Sequence, residues 1–295
     1  MNLRVLALPG AEPLAAALRP ALEATAVPLD FRCFPDGECY LRVDGDVKGA
    51  DVVVAAALKN PDAQALRLWF AADTLRDMGA RRLVLATPYL PYMRQDARFR
   101  PGEAVTSRSF GRFVSQAFDG VVTVDPHLHR YHSLDQVYSV PSRVVRSAPA
   151  IAQWLRQNVE RPIVVGPDAE SEQWARDVAE RAGCPWQVLT KTRHGDRHVD
   201  VTLPAAEGAA GRTPVLVDDI ASSGHTLAEA ARHVREVFGV APICIAVHAL
   251  FAPEAKPLLR EAGAARVLSC NTVPDESNAI DVLPLFAQGV RSLLA

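Results

Sequence analysis

Eight short apolar runs set the limits on what this chain can fold into. They read LRVLALP, DVVVAAAL, RRLVLATPY and VVTVD in the first half, and PIVVGPD, PVLVDDI, ICIAVHAL and ARVLSC in the second. Each is too short to span a membrane and too continuously apolar for a strand with one wet face, so each implies a strand covered on both sides. Stretches rich in Ala, Leu, Glu and Arg lie between most of them. Strands alternating with helices imply an α/β architecture of mainly parallel sheets flanked by helices. The stretch APAIAQWLRQNVE (148–160) separates four runs from four more. It divides the chain into two similar domains, 1–145 and 146–295, with a last helix that can fold back on the first. A length of 295 residues, about half of them apolar, suits two cores of ordinary size.

A formal net charge of −2, with no long basic run, excludes the footprint of a nucleic-acid binder and points to small-molecule partners. No apolar run reaches membrane-spanning length, and the opening MNLRVLALPGAEP is too broken by Pro and Gly for a signal peptide. The expectation is a cytoplasmic protein that engages no membrane. The five cysteines form no C-x-x-C pair, and their scatter implies reduced, mostly buried thiols.

The most informative stretch is PVLVDDIASSGHTLAEAARHV (214–234). It reads as a buried strand that ends at Val217, with Asp218 and Asp219 at its carboxyl end. A loop, Ala221 to Thr226, then opens a helix from about Leu227. A small-residue loop at a helix N-terminus leaves N–H groups free to surround a phosphate, assisted by the helix dipole and by hydroxyls such as those of Ser222, Ser223 and Thr226. The adjacent carboxylates suit vicinal sugar hydroxyls, either directly or through Mg²⁺. A ribose 5-phosphate satisfies both ends of such a site. The stretch resembles the phosphoribosyl diphosphate motif of the type I phosphoribosyltransferase fold. It departs from that motif in two places: Ser222 stands where an acidic residue is usual, and His225 where a second glycine is.

Further motifs follow in order: CFPDGECYLRV (33–43), PYLPYMRQDARFRPGEAVTSR (88–108), VDPHLHRYHSL (124–134), VVGPDAESEQWARDVAERAG (164–183) and LTKTRHGDRHVDV (189–201). Together they resemble the ribose-phosphate pyrophosphokinase family over nearly the whole chain, in its shorter, archaeal-like branch. The resemblance implies two domains of the type I phosphoribosyltransferase fold and Mg²⁺-dependent transfer of the diphosphoryl group of ATP to O1 of ribose 5-phosphate. It implies Lys191 and Arg193 as the catalytic cations, on what reads as a loop. Phe34, Asp36, Glu38, Arg94, Gln95 and Asp96 would contact ATP, and His127 and Asp168 would hold the metal. Asp218, Asp219, Ser222, Ser223, Gly224, His225 and Thr226 would hold ribose 5-phosphate. Phe34, Asp36 and Glu38 match a loop that reaches a neighbouring subunit, which implies self-association with a shared active site. Two other readings share parts of this pattern: a phosphoribosyltransferase consuming phosphoribosyl diphosphate, and a catalytically silent regulatory homologue.

Overall fold

All eight apolar runs become strands. The computed structural model describes residues 2–194, 198–202 and 211–295, with side chains for 2–189 and 211–295. The first half contains β1 (Leu3–Ala7), α1 (Glu12–Leu22), β2 (Thr25–Val27), β3 (Leu29–Cys33), β4 (Cys39–Val43), β5 (Asp51–Ala55), α2 (Pro61–Asp77), β6 (Arg82–Ala86), α3 (Thr106–Ala117), β7 (Gly120–Val124) and β8 (Ser142–Val145). The second contains α4 (Ala148–Asn158), β9 (Pro162–Gly166), α5 (Glu172–Ala182), β10 (Trp186–Val188), β11 (Thr190–His194), β12 (His198–Thr202), β13 (Thr213–Ala221), α6 (His225–Phe238), β14 (Ile243–Ala249), α7 (Ala255–Glu261), β15 (Arg266–Cys270), β16 (Asn278–Ile280) and α8 (Leu283–Leu294).

The contacts divide the chain into two compact units, Met1–Val145 with Leu283–Ala295, and Arg146–Val282. Each contains one six-stranded sheet, ordered β2-β1-β5-β6-β7-β8 in the first and β10-β9-β13-β14-β15-β16 in the second. Every neighbouring pair in both sheets is parallel. Counted along the chain, both orders are second-first-third-fourth-fifth-sixth. Both units also carry an antiparallel two-stranded hairpin between their second and third sheet strands: β3–β4 in one and β11–β12 in the other. The halves are therefore topological copies, although their sequences show little of it.

Strands β5, β7 and β14 are buried at every residue, as strands covered by helices on both faces must be. Helix α6 explains the covering: Leu227, Ala228, Ala230, Ala231 and Val234 repeat at helical spacing and form its buried face. In the first unit α8 packs against β7 and β8. It comes so close that a Cβ on Gly289 would stand 2.4 Å from a methyl of Val145, so only glycine permits this contact. Among the described residues no helix is long and apolar enough to cross a membrane. The cysteines depart from expectation: only Cys244 and Cys270 are buried, while Cys184 and Cys39 are half-buried and Cys33 is exposed.

One charged residue inside the first core has a clear electrostatic account. Asp51 opens β5 at 1% exposure and binds Arg81 through Nε at 2.9 Å and Nη2 at 2.7 Å, and Arg82 through Nη2 at 2.9 Å. The hydrogen bonds from Arg81, with the one from Arg82 and the attraction of both charges, outweigh burial and hold this carboxyl below its ordinary value of 3.8. A depressed folded-state pKa contributes stability that is present above the ordinary value and is lost as pH falls through the folded one. Asp51→Asn should therefore lower the unfolding free energy by about 2 kcal/mol at neutral pH, the scale of hydrogen bonds to charged groups. In urea titrations at several pH values the gap to wild type should close below about pH 4.

Candidate functional site

In an open parallel sheet, ligands bind beyond the carboxyl ends of the strands, at the point where the strand order reverses. In the second unit that point lies between β9 and β13, since the chain goes from β9 to β10 on one side and to β13 on the other. Strand β13 is longer than the sequence implies. It runs to Ala221, because β14 pairs with it as far as Ala221↔Ala249, whereas pairing with β9 stops at Leu216↔Val165. Asp218 and Asp219 thus belong to the strand, past the last residue paired with β9. The Asp219 N–H donates to Asp218 Oδ1 at 3.0 Å, and Asp219 is buried while Asp218 is half-buried.

Only Ser222, Ser223 and Gly224 separate this strand from α6, which starts at His225 rather than near Leu227. The first intrahelical bond is Ala228 N–H to Gly224 O at 2.8 Å. The N–H groups of His225, Thr226 and Leu227 lie ahead of it and have no carbonyl within the helix. Gly224 sits at φ 80°, and a Cβ there would stand 3.2 Å from Ala255 Cβ and 3.3 Å from its backbone oxygen. The loop therefore rests directly on the start of α7, and Ala252 N–H donates to Ser222 O at 3.0 Å. Ser223, His225 and Thr226 are exposed.

Asp168 follows β9, the other strand of the reversal point. Its Oδ1 accepts from the N–H groups of Glu170 and Ser171, both at 3.1 Å, and Ser171 Oγ lies 3.2 Å from Asp168 N. This reciprocal pair caps the turn 169–171 that leads into α5. Oδ2 carries no hydrogen bond among the described residues. Lys191 and Arg193 lie on β11, paired with β12 at Lys191↔Val201 and Arg193↔Val199, so their backbone is a strand and not a loop. Their side chains fall outside the described residues.

In the first unit Arg94, Gln95 and Asp96 follow β6 and His127 follows β7, rather than β1 and β5, where that unit's strand order reverses. Tyr92, at φ 65°, turns the chain into the segment 93–99, a left-handed conformation that costs a non-glycine residue about 1 kcal/mol or more. Its hydroxyl donates to Asp62; burial, and then that carboxylate, push it up to about 12. Asp96 is 4% exposed and accepts from Arg130 Nη1 at 2.7 Å and from Arg130 N–H at 3.3 Å. Tyr131 OH donates to Asp96 O at 3.1 Å. Asp96 thereby ties segment 93–99 to the loop after β7, which carries His127. Gln95 Oε1 accepts from Thr106 Oγ1 at 3.1 Å, and Arg94 is exposed. His127 lies 6.2 Å, ring to ring, from His129. Arg130 was not picked out by its sequence; 34 residues separate it from Asp96, and no local spacing announces the pair.

Phe34, Asp36 and Glu38 form the exposed tip of the β3–β4 hairpin. Phe34 N–H donates to Glu38 O at 2.7 Å, Gly37 N–H to Phe34 O at 2.9 Å, and Glu38 N–H to Asp36 Oδ1 at 3.1 Å. The Arg32 guanidinium lies 5.2 Å from the Phe34 ring and 4.6 Å from the Tyr40 ring. No group of three or more His, Cys, Asp or Glu side chains is arranged to hold a metal ion among the described residues.

Comparison with known proteins gives this geometry a family. Residues 3–117 match the family model described as the N-terminal domain of ribose phosphate pyrophosphokinase, and residues 133–285 match the phosphoribosyl transferase domain. A ribose-phosphate pyrophosphokinase of Methanopyrus kandleri is 33% identical, over 92% of this chain and 93% of the relative. This chain belongs to the ribose-phosphate pyrophosphokinase family. A second ribose-phosphate pyrophosphokinase, from Methanothermobacter thermautotrophicus, is 30% identical over 97% of this chain and 99% of the relative. The crystal structure of phosphoribosylpyrophosphate synthetase from Mycobacterium smegmatis superposes with a TM-score of 0.84 at 26% identity, covering 100% of this chain and 99% of that one.

The Asp168 cap can be separated from any other task of that carboxylate. Asp168→Ala should cost about 1 kcal/mol of unfolding free energy, and Asp168→Ser, which keeps a capping oxygen, only a few tenths. Urea unfolding of the two variants checks this.

Proposed function

We propose a division of labour for a chain that transfers the β,γ-diphosphoryl group of ATP to O1 of ribose 5-phosphate, giving 5-phosphoribosyl 1-diphosphate and AMP. The observation that carries it is the run of β13 through Asp218 and Asp219, across three residues, into the N-terminus of α6. The loop Ser222–Gly224, the N–H groups at the start of α6, and the hydroxyls of Ser222, Ser223 and Thr226 bind the 5-phosphate. His225, the first residue of the helix, stands beside that phosphate. Asp218 and Asp219 accept from the ribose hydroxyls, and this orients O1 toward the triphosphate.

The first unit receives ATP. Arg94 neutralises triphosphate charge, Gln95 hydrogen-bonds the nucleoside, and Asp96 acts through Arg130 by holding both of their segments in place. Phe34 stacks on the adenine bound by a neighbouring copy of this chain, while Asp36 and Glu38 accept from its exocyclic amine. The enzyme is then a homo-oligomer with a shared active site. Lys191 and Arg193 bind the β and γ phosphates and stabilise the charge that develops as the diphosphoryl group moves.

The residues present fit Mg²⁺. Asp168 keeps one carboxylate oxygen outside its cap, and Mg²⁺ takes one or two protein carboxylate oxygens and fills the rest of its shell with phosphate and water. Asp168 would hold the ion directly. His127, a poor ligand for a hard cation, would act through bound water. When bound, Mg²⁺ supplies charge neutralisation along the triphosphate.

Lys191→Ala should lower kcat at least about a hundredfold with little change in KM for ribose 5-phosphate, because the charge acts mainly in the transition state. Steady-state kinetics scoring AMP and phosphoribosyl diphosphate read both constants, and a loss confined to KM contradicts the role. Asp218→Asn combined with Asp219→Asn should weaken ribose 5-phosphate binding and leave ATP affinity nearly intact, as read by calorimetry. An equal loss of ATP affinity removes the acidic pair from the sugar site.

Phe34→Ala should raise KM for ATP by the equivalent of about 1 to 3 kcal/mol, the range for one aromatic side chain stacking on a base. Activity should reappear when an inactive Phe34→Asp chain and an inactive Lys191→Ala chain exchange subunits. Exchange shown by native mass, with no activity returning, rules out the shared site.

A further inference from the structure

The β3–β4 hairpin brings together two cysteines that lie six positions apart in sequence. Cys33 and Cys39 are direct cross-strand partners. Pairs in an antiparallel ladder alternate between hydrogen-bonded and non-hydrogen-bonded. Phe34 N–H donates to Glu38 O at 2.7 Å, so that pair is hydrogen-bonded and the Cys33–Cys39 pair next to it is the other kind. Such pairs have Cα atoms about 4.5 Å apart with side chains on one face, inside the disulfide range of about 4.4 to 6.8 Å. Closing the bond needs the Cβ atoms to approach by only about 1 Å from their usual cross-strand separation.

Both thiols are within reach of a small oxidant. Cys33 is exposed, and Cys39 lines an open cleft of about 320 Å³ with Phe34, Tyr40 and Phe70. The other three are poor competitors. Cys244 and Cys270 are buried, and burial pushes the Cys244 thiol up to about 12. Burial also raises the Cys184 thiol, against a smaller opposing effect of Arg212.

We propose that Cys33 and Cys39 form a reversible redox site, an intramolecular disulfide that closes the tip of the hairpin. With a small-molecule disulfide as oxidant, one cysteine thiolate attacks it and releases one thiolate, leaving a mixed disulfide. The second cysteine thiolate then attacks the protein-side sulfur and releases the other. Two cysteine thiols are oxidised and one external disulfide is reduced to two thiols, which take up the two protons. Reduction by a dithiol reverses the sequence.

The bond sits immediately beneath Phe34, so it couples the redox state to nucleotide affinity. Drawing the two strands together retwists the ribbon under the Arg32, Phe34 and Tyr40 stack and displaces the tip. This coupling rests on the proposed role of residues 34–38; formation of the bond does not.

The test uses the full chain treated with oxidised glutathione, then alkylated and digested with trypsin. Arg32 and Arg42 bracket both cysteines in one peptide, CFPDGECYLR. The expected result is that this peptide is about 2 Da lighter and resists alkylation, and that dithiothreitol restores both thiols. Oxidised wild type should show a KM for ATP at least about threefold higher than the reduced enzyme, an effect absent from Cys33→Ser. A peptide that remains doubly alkylated, or carries only glutathione adducts, overturns the site. A bond that forms without any change in KM overturns the coupling. If Phe34→Ala also leaves KM unchanged, the fault lies in the reading of the loop.

Discussion

Beyond Leu216, strand β13 is paired on one edge only, and the site proposed in the second unit depends on that asymmetry. Pairing with β14 as far as Ala249 keeps the strand straight through two adjacent aspartates that would otherwise break an apolar strand. The neighbour on the other edge, β9, has already ended, and its chain turns into the Asp168 cap. The pairing of β13 with β9 therefore ends at the point of strand reversal, where parallel sheets bind ligands. The carboxylates of Asp218 and Asp219 lie near the end of β13, and the helix N–H groups begin at His225, six positions after Asp219. Any shift of β13 by one residue against β14 would carry Asp218 and Asp219 to opposite faces from those they now occupy.

The two units share one topology, and the residues proposed for each sit at different places on it. In the second, the proposed sugar-phosphate residues gather at the reversal point. In the first, Arg94, Gln95 and Asp96 sit one strand further along, after β6, and are tied to the loop after β7 by long-range contacts such as Asp96 with Arg130. The hairpins inserted at equivalent places also differ, β3–β4 offering an aromatic tip and β11–β12 including Lys191 and Arg193 in its backbone. A duplicated scaffold thus supplies a cation-bearing ribbon in one half and an aromatic one in the other.

The legible part of the fold was the part whose physics is local. Strands buried on both faces need contiguous apolar residues, so all eight runs were visible. The edge strands β2, β8, β10 and β16 are three or four residues long and partly exposed, and they leave no such run. Leu29, Phe31 and Cys33 facing Cys39, Leu41 and Val43 do alternate with polar residues, but over stretches short enough to pass for a turn. The end of β13 was misjudged because charge marks a strand end only when no neighbour carries the pairing onward. Asp168 shows the reverse case: a capping signal, Asp followed three residues later by Ser, was present in the sequence and was masked by the metal role that the family resemblance implied. The partnership of Asp96 with Arg130 was not legible, since it exists only once β6 and β7 are adjacent.

The central proposal is that the acidic strand end and the helix N-terminus together hold ribose 5-phosphate and leave its O1 to receive the diphosphoryl group of ATP. Phosphorus NMR of the reaction of the purified chain with ATP, Mg²⁺ and ribose 5-phosphate tests it most directly. The account predicts AMP together with a sugar that carries a diphosphate on C1 and keeps its 5-phosphate. Formation of ADP with a singly phosphorylated C1, or ATP left unconsumed, would contradict it.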